Sequence, residues 1–234
     1  MNMSRRETLG AATALAALSI AAVKSSPAGA QAAAPAPQPD NLVETRFRNI
    51  ADLPLRPDGS AVEYTEAQME PLEGVFWKTA STPDIEFDVR KMKVKLDGRG
   101  TTRLAGTLTF SDLEKLPRHT QITLLQCGAP KPRGIVKWTG VRFSELAKAV
   151  GAQSFANYAR LMSSDGYYLE DDMKTLMHPQ VMLAWMANDK PLPPEHGAPM
   201  RLIVPFRYGA RSIKAVTEIA FTATSFPPAK PWPT

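Results

Sequence analysis

The sequence predicts an α+β fold with a mixed sheet and short helices, and three observations lead to this prediction. The apolar segments are short, and several alternate with polar residues as β-strands do. Short segments with helix start and stop signals are scattered among them. No internal repeat and no long helical pattern is visible. Many short strands with scattered short helices are typical of α+β proteins.

The predicted strands follow one another along most of the chain. Residues 85–96 alternate apolar and polar side chains up to the Asp97-Gly98 turn, and residues 104–110 continue as a further strand. Residues 122–126 form an apolar strand that leads directly into Cys127. Later strands are predicted at 158–162, 200–205 and 213–222. Residues 181–188 are a buried piece that is either helical or extended.

Two short helices are predicted between these strands. The first covers residues 111–116, where Ser111 followed by Glu114 makes a capping box and Pro117 stops the helix. The second covers residues 143–150, with Gly151 as its stop. Residues 41–82 contain several proline and glycine turn signals, so we expect loops and short pieces that wrap a core formed later in the chain.

The N-terminal part of the chain is typical of an export signal. Arg5 and Arg6 precede a weakly apolar stretch at 11–23 and the small-residue site Ala28-Gly29-Ala30. The twin-arginine route carries folded proteins, so the pattern predicts a periplasmic protein that acquires a cofactor before export. We divide the chain into a signal peptide (1–30), an Ala/Pro linker (31–40), a domain (41–224) and a Pro-rich tail (225–234).

Composition excludes several classes of function. The chain has 234 residues, 44% hydrophobic and 22% charged, which is enough for one domain with a sizeable core or two small ones. Residues 1–30 carry three of the 28 bases and one of the 23 acids, so the remainder holds 25 bases against 22 acids. That balance predicts no nucleic-acid binding. No apolar run reaches the roughly 18 residues of a membrane-spanning helix, so no integral membrane role is expected.

Cys127 is the only cysteine of the chain and a candidate for chemistry. A lone cysteine can be a core residue, but this one stands where a strand gives way to the Gly128-Ala129-Pro130 loop, and reactive groups are concentrated at such places. Lys131, Arg133 and Lys137 follow it, and nearby cations stabilise a thiolate, which acts as a nucleophile or as a ligand for soft metals.

Other roles for the cysteine lack the residues they need. None of the three histidines stands in a context that would make it the base of a Cys-His hydrolase. A zinc site needs a Cys-x-x-Cys or a close histidine pair, and neither occurs. The glycines between residues 98 and 106 do not have the spacing of a dinucleotide-binding fingerprint.

A second candidate region lies near the C-terminus. His196, Arg201, Arg211 and Lys214 flank turn residues at the ends of short apolar strands. Together they would form a compact anion pocket that suits a phosphate-bearing ligand. The alternative is that they are surface charges beside strands.

Seven short motifs occur in a fixed order along residues 83–224. They are Leu116-Pro117-Arg118, Leu125-Gln126-Cys127, Lys137-Trp138-Thr139-Gly140-Val141, Ser163-Ser164-Asp165-Gly166-Tyr167, Met177-His178-Pro179, His196-Gly197-Ala198-Pro199-Met200-Arg201 and Gly209-Ala210-Arg211-Ser212-Ile213-Lys214. In this combination the chain closely resembles the molybdopterin-binding domain of the sulfite oxidase family.

The resemblance implies a sulfite-oxidase-type molybdopterin-binding fold with a molybdenum–molybdopterin cofactor. Cys127 would ligate the molybdenum, a role that agrees with the preference of soft thiolates for a redox-active metal. The positions implied to hold the pterin and its phosphate are Ser163, Asp165, His196, Arg201, Arg211, Ser212, Ile213 and Lys214. Lys131 and Arg133 would stand in for the arginines that bind the substrate anion in sulfite oxidases.

Three functions remain open on this resemblance. The first is oxidation of a small oxyanion such as sulfite, with a separate periplasmic cytochrome as electron acceptor. The second is reduction of S-oxides or N-oxides, such as methionine sulfoxide, on the same metal, with electrons from a membrane haem subunit. The third is a non-catalytic pterin-binding or electron-transfer subunit. The chain lacks the Cys-x-x-Cys-His that attaches a c-type haem, so the redox partner is expected to be another protein.

Overall fold

Ten short strands in the described residues form two five-stranded sheets. The structure is a computed structural model that describes residues 51–74, 85–128 and 131–226. The predicted signal peptide and linker lie outside these residues, as does the Pro-rich tail from residue 227 onward.

Short strands and shorter helices alternate along the chain. In chain order the strands are β1 (Lys93–Asp97), β2 (Gly106–Thr109), β3 (Arg118–Gln126), β4 (Arg133–Arg142), β5 (Tyr158–Ser163), β6 (Tyr168–Asp172), β7 (Met182–Ala187), β8 (Lys190–Pro191), β9 (Arg201–Ile203) and β10 (Val216–Thr222). The α-helices are α1 (Phe110–Glu114), α2 (Phe143–Ala149) and α3 (Met173–Leu176). Single 3₁₀ turns at Glu66–Gln68, Leu72–Gly74, Val89–Lys91, Pro194–His196 and Gly209–Arg211 complete the described elements.

The first sheet has the strand order β2-β1-β10-β5-β6. β1 runs parallel to β10, with Lys95 opposite Glu218, whereas the other neighbours are antiparallel. The parallel pair joins strands that lie far apart in sequence. The sheet is therefore mixed, and the predicted fold class is confirmed.

The second sheet is antiparallel and carries Cys127 at one end. Its order is β3-β4-β7-β8, and β9 also pairs with β7. β3 and β4 form a long hairpin that runs from the Arg118–Val141 pair to the Gln126–Arg133 pair. Cys127 follows the last paired residue of β3 and therefore sits at the hairpin's loop end.

Two buried clusters hold the sheets in place. The larger one joins the first sheet to α1 and α2 and includes Phe143, Leu161 and Phe221. The smaller one includes Leu125, Val136, Trp138 and Met182 and lies beneath the end of β3 that leads to Cys127. Burying one such large apolar side chain stabilises the fold by about 1.5–3 kcal/mol, so the end of β3 is firmly anchored.

The structure corrects several details of the element predictions. The alternation at 85–96 yields a strand only from Lys93 onward, because Val89–Lys91 is a 3₁₀ turn. The capping box of α1 is formed by Thr109 and Asp112, not by Ser111 and Glu114, since both the Thr109 amide and its hydroxyl donate to Asp112 Oδ2. Residues 181–188, for which the sequence allows either a helix or a strand, contain β7.

Strands β4 and β6 and helix α3 have no counterpart in the sequence prediction. β4 contains Gly134, Lys137 and Gly140, and these residues weaken the local strand signal. It forms nevertheless because it is sandwiched between β3 and β7. In the described part of the chain, no helix combines the length and the apolar character needed to cross a membrane.

Candidate functional site

A cavity of about 320 Å³ lies beside Cys127. Its walls come from the end of β3, the β5–β6 turn, β9 and the segment 209–214. It brings together seven residues that the sequence singled out, namely Cys127, Ser163, Asp165, Arg201, Ser212, Ile213 and Lys214. Leu125, Gln126, Tyr167, Gly209 and Ala210 complete the lining.

Opposing influences act on the Cys127 thiol. The side chain is partly buried, and burial raises the pKa of Cys127 above its ordinary value of 9.0. The charges of Lys214 and Arg201 act in the opposite direction and favour the thiolate. A bound cation would favour the thiolate further, as expected for a metal ligand.

Arg201 is a buried cation at the base of the cavity. It is 2% exposed, and its guanidinium donates to the carbonyls of His196 (2.9 Å) and Ser212 (2.8 Å) and stacks over the Trp138 ring. Within the described residues it has no carboxylate partner, and its Nε has no hydrogen-bond acceptor. Burial lowers the pKa of Arg201 to about 10. An anion bound in the cavity would supply the missing negative charge.

Lys214 is the second cation of the cavity. Its Nζ donates to the Glu195 carbonyl at 2.9 Å. Burial, reinforced by repulsion from Arg201, lowers the pKa of Lys214 to about 8, while Cys127, Asp165 and Glu195 oppose the shift. Two cations that repel each other in a half-enclosed space favour an anionic ligand.

Gly197 allows the chain to approach Lys214 closely. Its φ is +107°, and a Cβ at this position would lie 2.8 Å from the Lys214 Cβ. The Ala215 amide donates to the Gly197 carbonyl at 3.1 Å, which ties the two segments together. Glycine meets both demands because it has no Cβ and adopts positive φ at little cost.

The turn Gly209–Arg211 faces the thiol. A Cβ on Gly209 would lie 3.6 Å from Cys127 Sγ, in ordinary van der Waals contact, so the glycine leaves room for about one methyl group beside the sulfur. The Tyr167 hydroxyl donates to the Ala210 carbonyl at 3.0 Å and links the turn to the β5–β6 connection. The outer wall of the cavity is therefore built from two turns rather than from one strand.

Gln126 and Tyr167 line the cavity, although the sequence assigns them no role. Gln126 precedes Cys127, and Tyr167 ends the Ser-Ser-Asp-Gly-Tyr motif. A buried amide at the end of an apolar strand is the signal that could have identified Gln126, which is 3% exposed.

Lys131 and Arg133 do not line the described cavity, and both are exposed. Arg133 pairs with Gln126 across the hairpin, and directly opposite residues share one face of a sheet. Arg133 therefore lies on the same face as a lining residue, near the mouth of the loop. Substrate binding by these two residues stays a prediction.

The cations that favour the Cys127 thiolate differ from those expected from sequence proximity. Lys137 lies opposite Ile122, five residues and roughly 17 Å along the strand from Cys127. Its ammonium group pairs with Glu66 (2.7 Å) and Asp189 (3.0 Å) instead. Antiparallel pairing carries β4 away from the thiol, whereas Arg201 and Lys214 arrive from distant parts of the chain.

His196 and Arg211 stand behind the cavity wall rather than in it. His196 is 1% exposed, and its carbonyl accepts a hydrogen bond from Arg201. Arg211 forms an ion pair with Asp171 at 2.7 Å and donates to the Glu170 carbonyl. The structure thus places both beside residues that line the cavity, and their contact with a cofactor stays a prediction.

Comparison with known proteins identifies the family. Residues 79–230 match the family described as the oxidoreductase molybdopterin binding domain. The chain belongs to this family, which is the sulfite oxidase family. The resemblance seen in the sequence motifs is thereby confirmed.

Several named relatives are reductases and oxidases. The chain is 29% identical over 153 residues to the protein-methionine-sulfoxide reductase catalytic subunit MsrP of Campylobacter jejuni, covering 58% of this chain and 50% of the relative. It is 36% identical over 138 residues to MsrP of Xanthomonas axonopodis pv. citri, covering 52% and 42%. It is 28% identical over 140 residues to the mitochondrial sulfite oxidase of Drosophila melanogaster, covering 48% and 24%. The chain thus spans half or less of the length of these relatives.

A solved structure shares the fold. The sulfane dehydrogenase SoxCD from Paracoccus pantotrophus matches with a TM-score of 0.54 and 23% sequence identity, covering 60% of this chain and 40% of that one. This likeness confirms the predicted sulfite-oxidase-type fold.

The cofactor of the family is molybdenum–molybdopterin, and the residues of the cavity fit it. A thiol in the cavity wall offers the soft ligand that such a metal takes. Arg201 and Lys214 offer positive charge, and Arg201 retains an unused buried donor within the described residues. A negatively charged cofactor would satisfy both groups.

Proposed function

We propose that this chain catalyses oxygen-atom transfer at a molybdenum held by Cys127, with reduction of a neutral S-oxide as the favoured direction. The observation that carries this proposal is the convergence of the single thiol with two cations, the buried Arg201 and the half-buried Lys214, in one cavity. The thiol suits the metal, and the cations suit the phosphate-bearing pterin.

The residues that the sequence singled out have separate roles in this proposal. Cys127 binds the metal, and Arg201 and Lys214 hold the anionic part of the cofactor. Ser163, Asp165, Ser212 and Ile213 contact the pterin, and His196 and Arg211 support the turns from behind. When bound, the molybdenum cofactor supplies a two-electron centre that accepts or releases an oxygen atom.

The walls near the thiol favour a neutral substrate. Once Arg201 and Lys214 are committed to the cofactor, the one charged group left in the described lining is the carboxylate of Asp165, which would repel an anion. An S-oxide presents only a dipole to such walls, whereas a sulfite dianion would need further positive charge. The similarity to methionine-sulfoxide reductases supports the same direction.

Oxidation of a small oxyanion is the second candidate, and one observation favours it. Arg133 lies opposite Gln126 in the hairpin and is free of ion pairs within the described residues. Together with Lys131, it could attract an oxyanion to the loop that follows Cys127. This was the first expectation from the sequence.

The redox partner and the location belong to the proposal as well. With one cysteine the chain cannot attach a c-type haem through Cys-x-x-Cys-His, so we place electron transfer on a separate haem protein, either a membrane haem subunit or a cytochrome. The twin-arginine pattern at Arg5 and Arg6 supports export of the folded, cofactor-loaded protein to the periplasm.

The role of the thiol is tested with Cys127→Ser. A hydroxyl is a harder and weaker ligand for molybdenum, so turnover should be lost while the protein stays folded. The measurements are molybdenum and pterin content, circular dichroism, and two assays: methionine sulfoxide with reduced viologen, and sulfite with ferricyanide. Undiminished activity in this variant would exclude Cys127 as the ligand, and a metal-free wild-type protein would favour a non-catalytic subunit.

The cofactor-holding role is tested with Arg201→Met. Losing the buried charge should lower the pterin content of the purified protein to a small fraction of the wild-type value. Arg207→Met, which removes an exposed arginine from the segment after β9, is the matched control and should load normally. Normal occupancy in Arg201→Met would show that Arg201 only stabilises the fold.

The choice of substrate is tested with Arg133→Gln. If Arg133 binds an oxyanion, losing a charge-assisted pair worth about 1.5–3 kcal/mol raises the KM for sulfite by one to two orders of magnitude. The KM for a neutral S-oxide should not change, and the sulfite effect should weaken at high salt. Arg118→Gln, at the opposite end of the same hairpin, is the control. An unchanged KM for sulfite supports the reductase.

A further inference from the structure

Three hydrogen bonds meet at the backbone of Ala51 and connect it to residues around Cys127. The Ala51 amide donates to the Gly128 carbonyl at 3.0 Å. The Ala51 carbonyl accepts two hydrogen bonds, from Gln126 Nε2 at 3.1 Å and from the Tyr208 hydroxyl at 3.0 Å. Ala51 therefore binds the residues on both sides of Cys127 and the residue that precedes the Gly209–Arg211 turn.

These bonds join segments that are far apart in the chain. Ala51 lies 75 positions from Gln126 and 157 positions from Tyr208. A carbonyl oxygen has two lone pairs, so one acceptor can serve both donors. The Ala51 carbonyl thus connects the end of β3 with the turn that faces the sulfur.

The position of the thiol depends on hydrogen bonds made by the residues around Cys127. The one backbone hydrogen bond that Cys127 donates in the described structure goes to the Pro132 carbonyl at 3.4 Å, which is long. Gln126 is 3% exposed, and a buried amide is destabilising unless it is hydrogen-bonded. The bond to Ala51 therefore fixes the residue immediately before Cys127.

We propose that the backbone of Ala51 is a positioning element for the thiol. It holds Cys127 beside the turn that faces the sulfur, with Gln126 and Tyr208 as positioning residues. The segment that precedes the first strand thereby controls how much room lies beside Cys127 Sγ. This inference rests on the proposed function, in which the same sulfur binds the metal.

The experiment measures alkylation of Cys127 by iodoacetamide in the cofactor-free full-length protein. Because Cys127 is the only cysteine, the reaction reports on this site alone. Tyr208→Phe removes one donor to the Ala51 carbonyl and should raise the alkylation rate about fivefold, the factor that corresponds to one neutral hydrogen bond of typical strength. The melting temperature measured alongside separates local loosening from global unfolding.

Two further variants make the test specific. Gln126→Met removes the other donor to the same carbonyl, and the double variant should be accelerated by less than the product of the two single effects because the donors share one acceptor. Tyr64→Phe, in the same N-terminal segment but outside the cavity lining, should not change the rate.

The outcomes test the positioning role of Ala51 independently of whether Cys127 binds the metal. Acceleration in both single variants, with folding retained and the double variant sub-multiplicative, supports the positioning element. Wild-type rates in Tyr208→Phe and Gln126→Met overturn it, as does acceleration that only follows a lowered melting temperature. Alkylation of the thiol is measured on the cofactor-free protein. A Cys127→Ser experiment that excluded Cys127 as the metal ligand would therefore leave this result valid.

Discussion

At the residue scale, the reactivity of Cys127 depends on two opposing effects. Burial disfavours the charged thiolate and raises its pKa, whereas Lys214 and Arg201 favour it. Neither cation is close in sequence, so the chemistry of the sulfur depends on contacts that the fold makes. Because the pKa of Lys214 is about 8, its positive charge is partly lost in mildly alkaline solution.

Replacing Lys214 should make the thiol less acidic. In Lys214→Met the cation that favours the thiolate is gone, so the pKa of Cys127 rises further and its alkylation begins at higher pH. The measurement is the rate of iodoacetamide alkylation against pH in cofactor-free protein. Lys174→Met, on the exposed surface of α3, is the control and should leave the profile in place. An unshifted profile in Lys214→Met would show that the lysine does not act on the sulfur.

At the element scale, Gly140 sets the spacing between β4 and β7. A Cβ at this position would lie 1.9 Å from the Leu183 carbonyl oxygen and 2.8 Å from the Ala184 Cα. The pairing register shifts at the same place, between Thr139 and Gly140. Because β7 carries β9, which bears Arg201, this contact also helps to position the cavity.

Gly140→Ala should therefore destabilise the protein. The added methyl group meets backbone atoms that cannot rotate away, and overpacking of this kind costs about 1–3 kcal/mol. The measurement is the denaturant midpoint of unfolding. Gly128→Ala is the matched control because nothing lies within 4 Å of its added Cβ. Equal midpoints for the two variants would contradict the role of Gly140 as a spacer.

At the scale of the whole molecule, the cofactor-free protein carries an electrostatic penalty. Arg201 is buried and Lys214 is half-buried, and burial lowers the pKa of both. Both cations already act on the Cys127 thiol, and a bound anion would compensate their charges further. Cofactor binding should therefore stabilise the folded state by mass action and by neutralising these charges.

The pH dependence of stability should report this penalty. The pKa of Lys214 is about 8 in the folded state and higher, near its ordinary value of 10.5, in the unfolded chain. At this lysine the unfolded chain then binds more protons between these values, so the contribution of Lys214 to the free energy of unfolding rises from pH 8 to about pH 10.5. The penalty is fully present below pH 8.

Urea unfolding at several pH values checks this expectation. The rise should be smaller in Lys214→Met than in the wild type, since the variant has no ammonium group to discharge at this position. Parallel curves for the two proteins would contradict the depressed pKa. Lys148→Met, which removes a lysine paired with Glu145 on the surface, should behave as the wild type does.

The sequence by itself determined the class of fold and the family, and it predicts Cys127 as the key residue. Short alternating segments predicted the strands, because a strand with one buried face has a period of two. Seven ordered motifs resemble the molybdopterin-binding domain of the sulfite oxidase family, and the comparisons confirm this family. The position of Cys127 at a strand end predicts a reactive thiol. These features are local and can be identified without knowing which strands pair.

Only the tertiary structure decided which residues meet at the cavity. The sequence placed Lys137 near the thiol, whereas antiparallel pairing carries it away, and β9 and the segment 209–214 bring Arg201 and Lys214 there instead. The sequence does not predict β4 because its glycines and Lys137 weaken the strand pattern. Pairing with β3 and β7 on its two sides stabilises it nevertheless. The physical reason is that local sequence encodes periodicity and turns, while long-range packing selects the contacts between them.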